Sequence, residues 1–393
     1  MTEGLYKLPE GWRWVRLGEV CQHRTGIWGP EASDPAKGFP IVRSTEIDGF
    51  LIRPQAASVR MVRPGQVDAY KLETGDILVN KSSGSPHLVG WPAVFEDPQD
   101  GRTYLFSNFM LRLRSDQRSL EPWFLLYYLH SPIARSIYLG AQDTTSGLRN
   151  LRVQEFMAQL IPLPPLDEQR RIVARIEELI ERVREAKRLR QQVMEDAERL
   201  WQSALAETFP RPGTEPPPGW RWVRLGEVCN LYQPKTITVQ EMKRNPGPYP
   251  VFGANGIIGN YYQFNHEESE VIVSCRGTCG TVNMSLPRSW ITGNAMVATP
   301  AIEGLRKDYL YWAIKSTDLR KAIGGSAQPQ ITRLTLSPMI IPLPPLEEQR
   351  QIVSHLKAVQ EKIKILKEIQ ATTDAELQRL EQAILDSAFR GEL

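Results

Sequence analysis

Four cysteines and five histidines in 393 residues leave little room for a disulfide framework or a histidine-rich metal centre. Cys21 and Cys229 read as small buried hydrophobes at strand edges. Cys275 and Cys279, in CRGTC, lack a second pair at zinc spacing, and His266 is their one nearby candidate ligand. There is no GxxxxGK[ST] for a nucleoside triphosphate and no HExxH for zinc. Gly253, Gly256 and Gly259 have the wrong spacing for a dinucleotide loop, and NPGPYP reads as a turn before a strand. These absences predict a chain that binds without doing chemistry and holds no cofactor of its own. No apolar run approaches eighteen residues, which argues against a membrane span. The opening MTEGLYKLPEGW lacks a basic flank followed by an apolar core, so the expected location is cytoplasmic. Net charge is only +3, but residues 210–340 alone carry 14 Lys+Arg against 9 Asp+Glu. That local excess favours a polyanionic partner.

What the chain does have is itself, twice. GWRWVRLGEVC runs from Gly11 to Cys21 and again from Gly219 to Cys229. IPLPPLDEQRRIV at 161–173 returns as IPLPPLEEQRQIV at 341–353. The segments enclosed between these motifs share almost no run of identical letters. A repeated frame around diverged interiors is what a scaffold carrying two different recognition surfaces requires.

After each PLPPL the composition loses Gly and Pro and gains Glu, Arg, Lys, Leu and Ala, which predicts two long helices. Heptad spacing gives seams beginning Ile172, Ile176, Leu179, Val183 and Ile352, Leu356, Val359, Ile363. These fit an antiparallel coiled coil. Arg190 and Gln370 occupy equivalent seam positions. Either each is a polar register-fixing residue, or the heptad phase slips by one there to the apolar Leu189 and Ile369. The expected layout is residues 1–160 and 210–340 as globular domains, with helical segments at 161–209 and 341–393.

Within the globular parts, short apolar runs alternate with Gly, Pro, Asp and Asn, predicting strands of five or six residues. Glu121 to Tyr138 and Arg306 to Ile323 read as one helix each, so both domains are α+β with strand-rich bodies. Two loop pairs stand out: NKSSGSPHLVG (80–90) with TTSGLRN (144–150), and SCRGTCGTVN (274–283) with GGSAQPQ (324–330). Glycine lets backbone approach a phosphate, Ser and Thr donate to it, and Arg, Asn and Gln form bidentate bonds to base edges. The candidate DNA contacts are Lys81, Ser83, Arg149 and Asn150 in the first half, and Arg276, Thr278, Gln328 and Gln330 in the second.

The two PLPPLxEQRxIV segments, the two GWxWVxLGEV segments, KSSGS after GDILVN, SNFMLRLR at 107–114 and YPVFGANGIIG at 249–259 together resemble specificity subunits of Type I restriction-modification systems. The resemblance covers nearly the whole chain. It implies two α+β target recognition domains with an internal pseudo-two-fold repeat, each reading half of a bipartite double-stranded DNA site. It also implies that two long helices form the antiparallel spacer and help dock two methyltransferase (modification) subunits, with motor/nuclease (restriction) subunits joining for cleavage. The chain would then be a non-catalytic part of a restriction enzyme and adenine-specific DNA methyltransferase complex. S-adenosylmethionine, ATP and magnesium would belong to the partner subunits. The competing readings are an assembly scaffold whose recognition domains no longer bind DNA, and a fused enzyme, which the missing motifs disfavour.

Overall fold

The computed structural model describes residues 6–85, 87–145, 147–325 and 328–393. The chain divides into two compact units: Met1–Arg190 with Ala371–Leu393, and Gln191–Gln370. Both long helices, Leu166–Thr208 of 43 residues and Leu346–Arg390 of 45, are shared between the units. At 1.5 Å per residue each is about 65 Å long.

The two repeated motifs turn out to be partners. Arg13–Arg16 pairs antiparallel with Leu160–Leu163, setting Val15 opposite Ile161, and Arg221–Arg224 pairs with Ile340–Leu343 in the same register. One motif therefore supplies the first strand of a unit and the other its last. Trp14 lies opposite Pro162, and a two-stranded ladder tolerates proline because its edges have no further strand to bond.

The diverged interiors share a topology. In the first unit the strands Cys21–Thr25, Met110–Ser115, Ile77–Asn80 and Pro92–Val94 lie side by side, extended by Leu51–Ile52 and Ile47–Asp48. In the second, Cys229–Tyr232, Ala295–Pro300, Val271–Ser274 and Val282–Met284 repeat the first four in the same order. A smaller sheet recurs as well: Phe39–Val42 pairs parallel with Leu105–Phe106 and antiparallel with Ser58–Arg60. Tyr249–Gly253 does the same with Trp290–Ile291 and Gly256–Tyr261.

The central strands Ile77–Asn80 and Val271–Ser274 are buried along their whole length because both faces are covered, and their apolar residues alternate between two cores. Ile77 and Val79 join Phe124, Tyr128 and the long-helix residues Ile172 and Ile176 on one side. Leu78 joins Ala93, Phe95 and Phe106 on the other. In the second unit Val271 and Val273 pack with Tyr309 and Leu356, while Ile272 packs with Phe252 and Ile291.

The helices inside the units are shorter than the sequence reading. Glu121 to Tyr138 breaks into Pro122–His130 and Pro132–Gly140, because Pro132 cannot continue the hydrogen-bond ladder and Ser131 caps the second piece at Ala134 N–H. Arg306 to Ile323 is an α-helix only over Lys307–Lys315. Asp318 then accepts from Arg320 N–H, a 3₁₀ turn covers Leu319–Ala322, and Ile323 begins a strand.

The long helices run antiparallel within each unit. Lys187 reaches Glu381 at 2.8 Å and Arg190 reaches Asp374 at 2.7 Å in the first, and Glu198 faces Lys367 at 3.9 Å in the second. The heptad phase does not slip at the polar positions. Arg190 keeps 18% side-chain exposure, whereas the alternatives Leu189 and Ile369 are left 50% and 57% exposed. Ile172, Ile176 and Val183 are buried and Leu179 half-buried in the first unit's core. Leu356 and Ile363 are buried, Ile352 and Val359 half-buried, in the second. These side chains pack on the body of their own unit as well as on the opposing helix: Phe389, from the end of the second long helix, sits edge-on to Phe124 and Tyr128 at 5.2 Å each.

The start of each long helix is tied down by one glutamine. Gln169 is fully buried; its Oε1 accepts from Glu121 N–H and its Nε2 donates to Ser119 O and Pro164 O, each at 2.8 Å. Gln349 repeats this with Arg306 N–H, Gly304 O and Pro344 O at 2.8 to 2.9 Å. The glutamine of PLPPLxEQR is a latch between the long helix and the N-terminus of the neighbouring helix.

Candidate nucleic-acid interface

In each unit the structure brings the two singled-out loops together. The hairpin Gln142–Thr145 and Leu148–Leu151 adds the strand Ser82–Ser83, with Arg149 opposite Ser83 and Asn150 opposite Ser82. In the second unit the hairpin Ile323–Gly324 and Gln330–Ile331 meets the other loop through a bridge between Gln330 and Arg276. The same backbone bond fastens both: Leu151 N–H donates to Lys81 O at 2.8 Å and Ile331 N–H to Cys275 O at 3.0 Å. Asn150 and Gln330 are thereby equivalent, as are Ser82 and Arg276. Pro86, Ser146, Ser326 and Ala327 of these loops lie outside the described residues.

The side chains on this common frame differ. Arg149 is exposed and makes no ion pair among the described residues. Asn150 Oδ1 accepts from Ser82 Oγ at 2.6 Å, which fixes the amide plane and leaves its nitrogen without a partner among the described residues. Ser83 Oγ accepts from Ser85 N–H at 3.1 Å, tightening the turn. Lys81 is half-buried, and desolvation lowers its ammonium pKa. In the second unit Arg276, Thr278 and Gln328 are exposed and Gln330 is half-buried. Thr278 Oγ1 is hydrogen-bonded to Asn255 Oδ1.

The cysteines hold this loop together. Cys275 is buried, burial raises its thiol pKa, and Cys279 Sγ donates to Cys275 O and Pro329 O at 3.2 and 3.3 Å. Cys21 and Cys229 are buried, each with its thiol pushed up to about 12 by desolvation.

Sequence reasoning passed over three residues at this surface. Ser82 orients Asn150 and was legible only as one of three serines. Asn255 stands in the Asn-Gly turn of the hairpin Tyr249–Tyr261, whose Gly256 has φ +125°, and it reaches Thr278 from 23 residues away in sequence. Phe109, 49% exposed, caps the turn whose carbonyl accepts Lys81 N–H at 2.8 Å. No periodic signal marks a single exposed aromatic in a turn.

Among the described residues no helix is long and apolar enough to cross a membrane. A family model described as the Type I restriction modification DNA specificity domain matches residues 9–195 and again 217–373, once per repeat. The crystal structure of the HsdS subunit from Thermoanaerobacter tengcongensis is 35% identical, with complete coverage of both chains and a TM-score of 0.65. A chain from a structure concerned with complex assembly and conformational transition of the type I R-M system is also 35% identical. It covers 99% of this chain and 100% of its own, with a TM-score of 0.78. The Type I restriction enzyme MjaVIII specificity subunit of Methanocaldococcus jannaschii is 22% identical over 436 residues, 98% of this chain and 94% of its own. Two recognition bodies of one topology, fastened alike and carrying different loop side chains, place this chain in the Type I restriction-modification specificity family, as a non-catalytic subunit that gives the system its DNA sequence specificity.

Proposed function

We infer that each unit reads one half of a bipartite double-stranded DNA site through its joined loops. Arg149 and Asn150, with Lys81 and Ser83, serve the first half-site; Arg276, Thr278, Gln328 and Gln330 serve the second. One observation carries this reading: the loops are joined by the same backbone bond in both units, Leu151 to Lys81 and Ile331 to Cys275, while the side chains presented differ. A common frame with different polar side chains suits two surfaces that read different base pairs.

The long helices set the gap between the half-sites and dock two modification subunits. Supporting this, the helix pair of the second unit leaves an apolar groove of about 690 Å³ lined by Ala197, Leu200, Val359, Ile363 and Leu366, with Leu200 60% exposed. An exposed apolar hollow rimmed by Asp196, Glu207 and Lys362 suits the docking of a protein partner. Restriction subunits join this complex, the partner subunits bring S-adenosylmethionine, ATP and magnesium, and the assembly works in the cytoplasm.

The test is methylome sequencing of cells expressing the chain with its modification subunit. Asn150→Ala or Arg149→Ala is expected to relax a position in one half-site alone, and Arg276→Ala or Gln330→Ala in the other. A lost bidentate base contact costs about 1–3 kcal/mol. An unchanged motif in all four variants would overturn the assignment of these loops.

A further inference from the structure

The eleven-residue repeat GWRWVRLGEVC holds an unexplained feature. Nearly every one of its identical positions has a reason inside the chain. Gly11 and Gly219 adopt φ +83° and +82°, where a side chain is strained. Gly18 sits where a Cβ would come within 3.3 Å of Met157 O, and at Gly226 a Cβ would overlap the Ser337 side chain. Val15, Leu17 and Cys21 are buried, as are Val223, Leu225 and Cys229, while Val20 and Val228 pack on the same cores. Trp12 packs on the first core, and its counterpart Trp220 donates to Glu348 at 2.7 Å; Trp14 stacks edge-on with Tyr6, and Trp222 donates to Thr214 O. Glu19 and Glu227 accept from the N–H groups of Arg16 and Arg224 at 3.2 and 3.3 Å.

The arginines are left over. Arg13, Arg16, Arg221 and Arg224 are all exposed. None makes a side-chain hydrogen bond, ion pair or ring contact among the described residues. Folding therefore gives no reason for either copy to keep them, in a chain whose interiors have otherwise diverged.

Their position suggests what they meet. Leu17 N–H donates to Gln159 O, and Leu225 N–H to Met339 O, so Arg16 and Arg224 lie beside the end of the segment that follows the reading hairpin of their unit, while Arg13 and Arg221 stand three strand positions further on, opposite Leu163 and Leu343. In the first unit that segment is the helix Val153–Ala158. In the second, Arg224 lines an open hollow with Glu227 and with Arg333, two residues beyond Ile331. A six-residue helix spans about 9 Å, about three base-pair steps of DNA.

We propose that Arg13 with Arg16, and Arg221 with Arg224, are two equivalent sets of phosphate contacts, Arg16 and Arg224 nearer the bases their unit reads and Arg13 and Arg221 further along the DNA backbone. This rests on the two-half-site reading above and adds a division of labour to it. Bases differ between half-sites, so the reading loops differ. The phosphodiester chain is the same at both, so the residues that grip it are the same. Phosphate contacts position the protein without specifying sequence.

The experiment measures DNA binding by the chain assembled with its modification subunit, across a salt series, on duplexes with and without the methylated motif. The variants are Arg13→Ala with Arg16→Ala, and Arg221→Ala with Arg224→Ala. Each pair is expected to reduce the slope of log K against log salt by about 1.8, from about 0.9 per phosphate contact. The loss should be the same on both duplexes and for both pairs, the methylated motif should not change, and Arg→Lys pairs should retain the slope. Exposed positions without intrachain partners should leave thermal unfolding unaltered. An unchanged slope would overturn the proposal. So would an altered motif, or loss of co-purification with the modification subunit, which would make these arginines a protein contact. Failure of the reading itself is separable: it shows as an unchanged motif in Asn150→Ala and Gln330→Ala, whatever the salt slope.

Discussion

Replacing Gln169 by alanine tests whether the most specific motif of the chain is structural. The side chain is fully buried and makes three hydrogen bonds to backbone groups, all at 2.8 Å. A buried hydrogen bond contributes about 0.5–1.5 kcal/mol net, and an unsatisfied buried group costs about 1–3 kcal/mol. Truncation strips partners from Glu121 N–H, Ser119 O and Pro164 O together. The expected loss is roughly 3–4 kcal/mol, allowing for partial relaxation. The unit comprises Met1–Arg190 and Ala371–Leu393; for a domain of this size 1 kcal/mol moves Tm by about 2–4 °C. The first unit should therefore melt about 10 °C lower in calorimetry. Hydrogen exchange locates the damage, with the amides of Glu121 and Leu125 at the start of the helix Pro122–His130 losing protection first. Gln169→Glu should not rescue, because it keeps the acceptor but replaces both donors by an oxygen facing two carbonyls. Gln349→Ala should destabilise the second unit by a similar amount through Arg306 N–H. A Gln169→Ala chain that melts within about 2 °C of the parent, with Glu121 protection intact, would refute the latch.

Other outcomes follow from single side chains. Phe389→Ala removes a ring packed edge-on against Phe124 and Tyr128 and should cost about 3–5 kcal/mol by denaturant titration. His130 is buried against Phe50 and Trp91, and desolvation holds its pKa down to about 3. A depressed histidine is neutral in the fold and charged in the unfolded chain below about pH 6.5. Its contribution is thus complete above pH 6.5 and lost as pH falls toward 3, at up to about 1.4 kcal/mol per unit. Stability of His130→Phe should fall less steeply across that window, and parallel pH profiles would remove His130 from the acid response. Ser82→Ala frees the Asn150 amide and should blur the same half-site position as Asn150→Ala, more weakly, in the methylome.

Much of the frame was legible because it rests on patterns that repeat. Heptad spacing marked Ile172, Ile176 and Val183, and these are buried. Strands such as Ile77–Asn80 and Ala295–Pro300 showed as apolar runs between turn residues. Three things were not legible. The break at Ser131 was missed because the apolar composition of 121–138 outweighed Pro132. The role of Gln169 was hidden because one buried polar residue has no period. The Thr278–Asn255 contact was hidden because side-chain bonds between loops far apart in sequence depend on tertiary geometry. The loop residues were legible as types, since Arg, Asn, Gln and Ser after a strand suit a polyanion. Only the fold revealed that the 80s loop and the 140s hairpin form one three-stranded ladder.

The pairing of the repeated motifs explains why runs of identity survive in two short stretches and almost nowhere between them. Val15 opposite Ile161 and Val223 opposite Ile341 make the motifs two strands of one ladder, so a change in either must be accommodated by the other. Directly beyond that ladder, Gln169 or Gln349 anchors the long helix to the same unit. Ladder and latch together fix where each recognition body meets the helices. The enclosed strands need only keep their order and their alternation between two apolar cores, which many sequences satisfy. On the loop assignment proposed above, selection for a new half-site would rewrite the loops at Ser82–Asn150 or Arg276–Gln330 while the closing ladder stays constant. Specificity changes in such a chain are expected at side chains carried on the Leu151–Lys81 and Ile331–Cys275 bonds, because those bonds use only backbone atoms and accept any residue there except proline as donor.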